Sequence, residues 1–175
     1  MLVVDYDDWQ FDHDCRDKLE KLKEINPKFK VTLFTVPGKT TLEMLEWAKR
    51  DWVQLGIHGW MHESNYECVD WSEDMCEWVI DTCRHHRFAP IFKAPGWQIS
   101  ENCYHVCLVN HIIVADQPYN TERRPEELKV YEVGDNSYHG HTHDCGCSNG
   151  IYEDWENIVE KVKGETEFKF ITELF

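Results

Sequence analysis

Basic residues are few in this sequence, and long apolar segments are absent. The 175 residues include 18 lysines and arginines against 33 aspartates and glutamates, which gives a formal net charge of −15. Such a charge disfavours binding to DNA, RNA and anionic membrane surfaces, but it does little to hinder a neutral substrate such as a glycan. No apolar run approaches the ~18 residues that a membrane-spanning helix needs. The sequence therefore predicts neither a nucleic-acid partner nor a membrane partner.

An export signal and an interdomain linker are also missing. A secretory signal needs a basic region followed by an apolar stretch, whereas Leu2-Val3-Val4 already has the pattern of a first strand. We therefore expect a cytoplasmic protein, or a secreted one if a leader has been removed. Because the sequence contains no repeat, low-complexity tract or linker, we expect residues 1–175 to form a single compact domain.

The sequence contains eight cysteines. In a chain of this length without a leader, free thiols that pack as small hydrophobes are favoured over disulfide bonds. Cys145-Gly146-Cys147 is the exception, because it lies in a polar, glycine-containing loop. A redox pair and a soft-metal site are both open for it, and a structural or incidental role is favoured over either.

Strands and helices alternate along the sequence. Apolar runs predict eight strands, at 2–6, 30–36, 52–57, 91–92, 111–115, 128–133, 136–141 and 168–171. Amphipathic segments predict helices at 14–25, after Thr40 or Thr41, and at 72–85, 100–109 and 152–162, with Ile25 and Leu42 among their inward-facing residues. Repeated strand–helix units indicate a parallel sheet, and eight strands favour a closed or nearly closed α/β barrel.

Polar residues recur where the predicted strands end. In a parallel barrel the carboxyl ends of the strands meet on one face, and the loops at that face form the site. Six residues fall at or just beyond such ends: Asp7, Asp8, His58, Lys93, Asp116 and His141. A random scatter of polar residues would not repeat this placement, so we expect these side chains to share one site.

Two histidines four residues apart indicate a metal site. His58 and His62 would share a face of one helical turn, close enough to hold a divalent cation. Asp8 is the best candidate for a third ligand, and two imidazoles with one carboxylate leave positions open for water and substrate. Alone, this histidine spacing is common, and Gly59 replaces the glutamate of the zinc-protease motif.

The same face has the residues for hydrolysis of an amide. A bound cation lowers the pKa of water and polarises a carbonyl oxygen. Asp7 is then a candidate base, and His141 a candidate acid for the leaving nitrogen. Asp116 is available to orient the imidazole of His141, and Lys93 would favour the ionised carboxylates. Taken singly, an acidic turn at Asp7, a turn-initiating Asp116 and a solvated Lys93 are the alternatives.

Ligand-type side chains recur at every second position from His139 to Cys147. An extended chain would place all five on one face, either as a separate soft-metal site or as a concentration of polar groups at the barrel mouth. His139 and His143 are therefore alternatives to His141 as the acid.

Taken in order, these segments resemble the NodB-type polysaccharide deacetylases, carbohydrate esterase family 4. Tyr6-Asp7-Asp8 is similar to the first motif, Thr-Phe-Asp-Asp, although Asp5 stands at the threonine position. His58-Gly59-Trp60-Met61-His62 is similar to the second motif, with both metal histidines present and Gly59 in place of the usual hydroxyl residue.

The later motifs follow in the same order. Phe92-Lys93-Ala94-Pro95-Gly96-Trp97 resembles the third motif, in which arginine is usual where this chain has Lys93. A lysine cannot grip a carboxylate through two parallel bonds as arginine does. Asp116 resembles the fourth motif, and His141, or His143 with Asp144 after it, resembles the fifth.

This resemblance implies a distorted (β/α) barrel of seven to eight strands and a divalent metal, zinc by default, with cobalt, nickel, iron or manganese as alternatives. It implies Asp7 as base and removal of acetyl groups from an N-acetylated or O-acetylated carbohydrate, with metal ligands Asp8, His58 and His62. The residues expected to contact the sugar are Trp9, Trp60, Trp97 and Pro95. Packing at the barrel mouth is the equal alternative for the three tryptophans.

Three other functions stay open. Relatives of such a fold cleave other non-peptide carbon–nitrogen bonds, so a different small amide is a candidate substrate. Lys93 and Asp5 give weight to a metal-binding or glycan-binding module that has lost the chemistry. Gly140-His141-Thr142-His143 is typical of metallophosphoesterases, but the early Asp-x-His and the central Gly-Asn-His of those enzymes do not occur. The sequence does not indicate an oligomeric state.

Overall fold

Helices and strands alternate along the computed structural model, which describes residues 1–118, 123–134, 136–144, 146 and 149–175. The strands are β1 (Leu2–Trp9), β2 (Val31–Thr35), β3 (Val53–His58), β4 (Ile91–Lys93), β5 (Ile113–Asp116), β6 (Val130–Glu132), β7 (Ser137–His141) and β8 (Phe168–Lys169). The helices are α1 (Arg16–Ile25), α2 (Leu42–Trp47), α3 (Glu73–His85), α4 (Glu101–Val109) and α5 (Trp155–Gly164). The alternation of strands and helices that the sequence predicts is confirmed.

The strands form one parallel sheet in the order β6-β5-β4-β3-β2-β1-β7, with β8 paired to β1. The sheet curls into a half-barrel with helices packed against it. In the described part of the chain β6 and β7 do not pair, so the barrel is distorted and open rather than closed. The predicted distorted (β/α) barrel is confirmed. Strand β1 pairs with both β7 and β8, and the pairing with β8 brings the two ends of the sequence together.

The central strands are buried on both faces, as expected for a parallel sheet that is covered by helices. Every residue of β1 and β2 is buried. The predicted strand 2–6 therefore continues to Trp9, and Asp7 and Asp8 lie inside the strand rather than beyond its end. In contrast, β7 alternates between buried and half-buried positions, and His139 and His141 are half-buried.

Side-chain caps begin three of the helices where the sequence predicts them. The side chains of Thr41, Ser72 and Ser100 accept hydrogen bonds from backbone N–H groups three residues later. The predicted inward faces of the first two helices are partly wrong, because Ile25 and Leu42 are exposed. Both residues lie at the end of their helix, Ile25 at the end of α1 and Leu42 at the start of α2.

The cysteines that the structure describes are free and buried, at positions 15, 68, 76, 83, 103 and 107. This confirms that they act as small hydrophobic residues. Cys145 and Cys147 lie outside the described residues, so the alternatives for that pair stay open. Within the described ranges, no helix combines the length and the apolar character needed to cross a bilayer.

Candidate metal centre

The side chains of His58 and His62 converge on Asp8. The Oδ1 atom of Asp8 lies 3.3 Å from Nε2 of His58 and 3.0 Å from Nε2 of His62. This oxygen is buried, yet it meets no partner in hydrogen-bond geometry within the described structure. Two imidazole nitrogens and an unsatisfied carboxylate oxygen that lie within 4.8 Å of one another fit a divalent cation. The structure therefore brings together the three residues that the sequence suggests as metal ligands.

A hydrogen bond to the backbone fixes the orientation of His58. This residue ends β3, and its Nδ1 lies 2.9 Å from the carbonyl oxygen of Lys93 on the neighbouring strand β4. Because a carbonyl oxygen only accepts, Nδ1 carries the proton and donates it. The lone pair of Nε2 is then directed at Asp8, as is usual for a histidine that binds a metal.

His62 reaches Asp8 from a loop, so the predicted helical turn that joins the two histidines is wrong. The strand ends at His58, and Gly59 turns the chain with a φ of 59°. The carboxylate of Glu67 then accepts hydrogen bonds from the backbone N–H groups of Trp60, Met61 and His62, at 3.2, 2.8 and 2.9 Å. A β-carbon at Gly59 would lie 2.3 Å from this carboxylate, which explains why glycine stands there.

Replacing Glu67 with alanine should weaken binding of the cation by roughly 10–100-fold, the usual loss when a residue that positions a ligand is removed. The variant would free three backbone N–H groups and release the loop that holds His62. Titration of the metal-free protein with zinc in a calorimeter measures the affinity. Glu63→Ala, a change at a nearby exposed residue, is the matched control, and equal affinities in both variants would contradict the role of Glu67.

A bulge in β1 directs the carboxylate of Asp8 into the centre. The pairing of β1 with β2 shifts register between Tyr6 and Trp9, and Asp8 has a φ of 66°. Its second oxygen, Oδ2, lies 3.1 Å from Nε2 of His143. Burial raises the pKa of Asp8, but the imidazoles of His143, His58 and His62 that lie against the carboxylate outweigh burial and hold the pKa well below its usual value.

The carboxylate of Asp8 also affects the histidines around it. Burial lowers the pKa of His62, but the nearby carboxylate of Asp8 outweighs burial, and the pKa is raised. The same hydrogen-bonding carboxylate raises the pKa of His143. Protons on His62 and His143 therefore compete with a cation that binds at Asp8.

Asp7 belongs to a buried network of charges beside this centre. Nζ of Lys93 donates to Oδ1 of Asp7 at 2.7 Å and lies 3.5 Å from Oδ2 of Asp5. The same oxygen of Asp5 lies 2.7 Å from Nδ1 of His139. Burial raises the pKa of Asp7, but the nearby charges of Lys93, His139 and His58 lower it by more than burial raises it. The pKa of Asp7 therefore falls below its usual value. Lys93 is thus a buried partner of the carboxylates and not a solvated strand end.

The structure places Asn149, and not Asp116, against the imidazole of His141. Nδ1 of His141 lies 3.1 Å from Oδ1 of Asn149. The described contacts of Asp116 are a short hydrogen bond from the Tyr104 hydroxyl, one from the backbone N–H of Gln117, and an ion pair with Arg124. The prediction that Asp116 orients His141 is therefore wrong. The chain folds back after β7, so that Asn149 and Gly150 lie beside His141. The spacing of residues in the sequence does not indicate this contact.

His141 lies close to the metal ligands, with Nε2 at 4.0 Å from Oδ2 of Asp8. Burial lowers the pKa of His141 below its usual value despite the nearby Asp7 and Asp8. His143, the alternative acid, also contacts Asp8 and stacks on His13 at 3.9 Å between ring centroids. The third alternative, His139, lies deeper in the network with Asp5 and Lys93.

The expected sugar-contacting residues take three different environments. Trp9 is fully buried and packs on Trp47, because the bulge in β1 turns it into the core; this prediction is wrong. Pro95 is also buried, against Gly59, so it offers no surface to a ligand. Trp60 is half-buried and packs edge to face on Trp78. Only Trp97 of these four lines the cleft above the centre in the described structure.

This cleft has a volume of about 390 Å³, within the usual range for small-molecule sites. Its described lining combines the metal ligands, Asp7, His141 and His143 with residues on the rim, which include Gln10, His13, Asn65 and Trp97. A larger cavity of about 470 Å³ lies beside α2 and Phe170, away from these groups. The ionisable cluster, and not cavity size, therefore marks the candidate site.

The comparisons with known proteins bear on the fold. No protein-family model and no curated protein matches the sequence. Among solved structures, the chain is similar to a family 4 acetyl xylan esterase from Clostridium thermocellum in complex with a cobalt ion, at 15% identity and a TM-score of 0.67, over 99% of this chain and 89% of that one. A peptidoglycan N-acetylglucosamine deacetylase is similar at 15% identity and a TM-score of 0.65, over 99% and 87%.

A third similar structure is a CE4 family pseudoenzyme from Bacillus anthracis, at 13% identity and a TM-score of 0.60, over 99% of this chain and 64% of that one. Together these likenesses show that this chain has the fold of the carbohydrate esterase family 4 structures. Since a pseudoenzyme has the same fold, the fold by itself does not carry the activity. The cluster of Asp8, His58 and His62 supports a divalent metal.

Proposed function

We propose that this protein is a metal-dependent hydrolase that removes acetyl groups from an N-acetylated or O-acetylated carbohydrate. The observation that carries the proposal is the convergence of Asp8, His58 and His62 with an ionised carboxylate, Asp7, beside them. These three residues would hold a divalent cation, for which we propose zinc. When bound there, the cation supplies a Lewis acid for the acyl oxygen and for water.

The residues of the chain supply the proton transfers. Asp7 is the base: Lys93 keeps its carboxylate ionised and occupies Oδ1, so that Oδ2, 4.0 Å from Nε2 of His58, faces the centre and accepts the proton of the attacking water. His141 is the acid, and it donates a proton from Nε2 to the leaving nitrogen or oxygen. Its lowered pKa makes the protonated imidazole a stronger donor.

The cleft favours a neutral carbohydrate over an anionic substrate. Buried carboxylates at its base repel anions, and the ring of Trp97 offers an apolar surface on which a sugar can stack. Lys93 lies 3.9 Å from the centroid of that ring and holds it in place. Another small amide with a non-peptide carbon–nitrogen bond is the second candidate substrate. We propose the cytoplasm as the location of the protein.

The proposed roles are tested by replacing Asp7 with asparagine and, separately, His141 with alanine. Both variants should keep the cation at Asp8, His58 and His62, as measured by mass spectrometry with one equivalent of zinc, and should release acetate from N-acetylglucosamine oligomers or acetylated xylan about 10²–10⁴-fold more slowly. Asp51→Asn, at an exposed residue before β3, should behave as the wild type.

Two results would oppose the proposal. Loss of the cation at Asp8, His58 and His62 in His141→Ala would mean that ligand and acid have been exchanged. A wild type that binds zinc but releases no acetate or amine from any acetylated glycan would favour a binding module, and turnover of a chromogenic phosphate ester instead would favour a phosphoesterase.

A further inference from the structure

A second group of potential metal ligands lies beside the first. Single ligand atoms of Asp7, His139 and His141 also lie within 4.8 Å of one another. The sheet creates this group, because His139 and His141 are two residues apart on β7 and point to the same face. The parallel pairing of β1 with β7 then sets Asp7 opposite His141 and Asp5 opposite His139.

Each of the three side chains has a partner on its outer atom. Nδ1 of His139 meets Oδ2 of Asp5 at 2.7 Å, and Nδ1 of His141 meets Oδ1 of Asn149 at 3.1 Å. Oδ1 of Asp7 accepts from Lys93 at 2.7 Å. The inner atoms, which are Nε2 of both histidines and Oδ2 of Asp7, are thereby directed toward one another. Partners of this kind orient the ligands of metal sites in proteins.

We propose that Asp7, His139 and His141 bind a second divalent cation, next to the one at Asp8, His58 and His62. The two groups adjoin through the consecutive residues Asp7 and Asp8, and Oδ2 of Asp7 lies 4.0 Å from Nε2 of His58. Together they make a pair of neighbouring sites with two imidazoles and one carboxylate each. This is a donor set that suits zinc, cobalt and nickel.

The local charge makes the second cation bind more weakly than the first. Three buried carboxylates, Asp5, Asp7 and Asp8, face a single buried ammonium group on Lys93. One divalent cation therefore neutralises the cluster, and a second one leaves an excess of positive charge. The second ion would bring an anion such as hydroxide or acetate from solution, and its apparent affinity depends on that anion.

The second ion has a consequence that rests on the proposed function. It would occupy Oδ2 of Asp7 and Nε2 of His141, the atoms that the proposed reaction uses to accept and donate protons. Activity should then rise as the first site fills and fall as the second site fills. Excess metal is therefore an inhibitor that acts by holding the base and the acid.

Titration of the metal-free protein with zinc, and with cobalt for its visible absorption, tests the second site without any assay of turnover. The wild type should show two binding events, with the second at least about 10-fold weaker than the first. His139→Gln should lose the second event and keep the first, which also shows that the variant is folded. His105→Gln, at an exposed histidine of α4, should keep both.

A wild type that saturates at one metal per chain up to millimolar zinc would overturn the second site. So would a second event that persists in His139→Gln but disappears in His143→Gln, because the ion would then lie at His143. Two binding events in a protein that never releases acetate would support the second site and oppose the proposed function. Acetate release with a single binding event would support the proposed function and oppose the second site.

Discussion

Replacement of Asp8 by asparagine is expected to remove the cation from the centre formed with His58 and His62 and to abolish acetate release. The oxygen that both imidazoles approach belongs to Asp8, and an amide offers a single neutral oxygen in its place. The loss of affinity should exceed the 10–100-fold that removal of an outer partner costs. Since the Lewis acid contributes several kcal/mol, turnover should fall by at least about 10³-fold.

Asparagine is the informative substitution at this position because of the backbone. Asp8 has a φ of 66°, a left-handed conformation that asparagine tolerates as well as aspartate and that alanine does not. A loss of metal in Asp8→Asn therefore reports on the ligand and not on strain in β1. The measurement is bound zinc per chain by mass spectrometry after dialysis, with Asp51→Asn as the control; zinc retained at wild-type affinity would contradict the assignment.

Local sequence patterns predicted the fold well because the relevant signals are local. Strands buried on both faces produce continuous apolar runs, and the hydroxyl residues Thr41, Ser72 and Ser100 cap helices through contacts with their own neighbours. The errors at Ile25 and Leu42 arose at helix ends, because the spacing of apolar residues does not show whether the rest of the fold covers an end residue. The openness of the barrel could not be predicted, since it depends on how far a whole sheet curls.

The sequence predicted which residues form the metal centre, but it did not predict how the backbone brings them together. The spacing of His58 and His62 identified a pair, yet the left-handed turn at Gly59 and the carboxylate of Glu67 replace the expected helix. Those contacts form only after the loop folds back, so the sequence carried no signal for Glu67. For the same reason Asn149 was missed as the partner of His141.

Trp9 shows how one irregularity in a strand misleads an argument from sequence. A residue just after a catalytic motif was expected to face the substrate. The bulge at Asp8 shifts the register of β1 against β2, and this shift turns Trp9 into the core against Trp47. The same bulge brings the carboxylate of Asp8 to the histidines. The feature that builds the metal centre is therefore the one that removed a predicted sugar contact.

Lys93 and Asp5, two of the three departures from the deacetylase motifs that the sequence resembles, lie together in the structure. Lys93 is 1% exposed and lies 2.7 Å from Asp7 and 3.5 Å from Asp5. A lysine makes point-charge contacts with both carboxylates, whereas a single bidentate grip would favour arginine. The additional carboxylate of Asp5 also pairs with His139. Lys93 and Asp5 therefore belong to one buried network of charges with Asp7 and His139.

Replacing Lys93 with methionine should lower the free energy of unfolding of the metal-free protein by about 3–5 kcal/mol at pH 7, because it leaves Asp5 and Asp7 buried without their cation. For a chain of this size the midpoint of thermal unfolding should fall by roughly 6–20 °C. Lys93→Arg keeps the positive charge, so its free energy of unfolding should fall much less. Lys93→Met combined with Asp5→Asn should recover part of the loss, since one of the stranded carboxylates is then removed.

The stability lost in Lys93→Met should decrease as the pH falls. In the wild type the pKa of Asp7 is lowered, so its ionised form adds stability at pH values above the unfolded pKa, and this stability is lost as the pH falls through the folded pKa. Without Lys93, burial dominates and raises the pKa of Asp7, so that the carboxylate destabilises the fold at neutral pH and less so once it is protonated. Urea unfolding should therefore show that the difference in free energy of unfolding between the wild type and Lys93→Met shrinks from pH 7 toward pH 5. A difference of the same size at both pH values would show that lost packing, rather than an unpaired buried charge, accounts for the effect of Lys93.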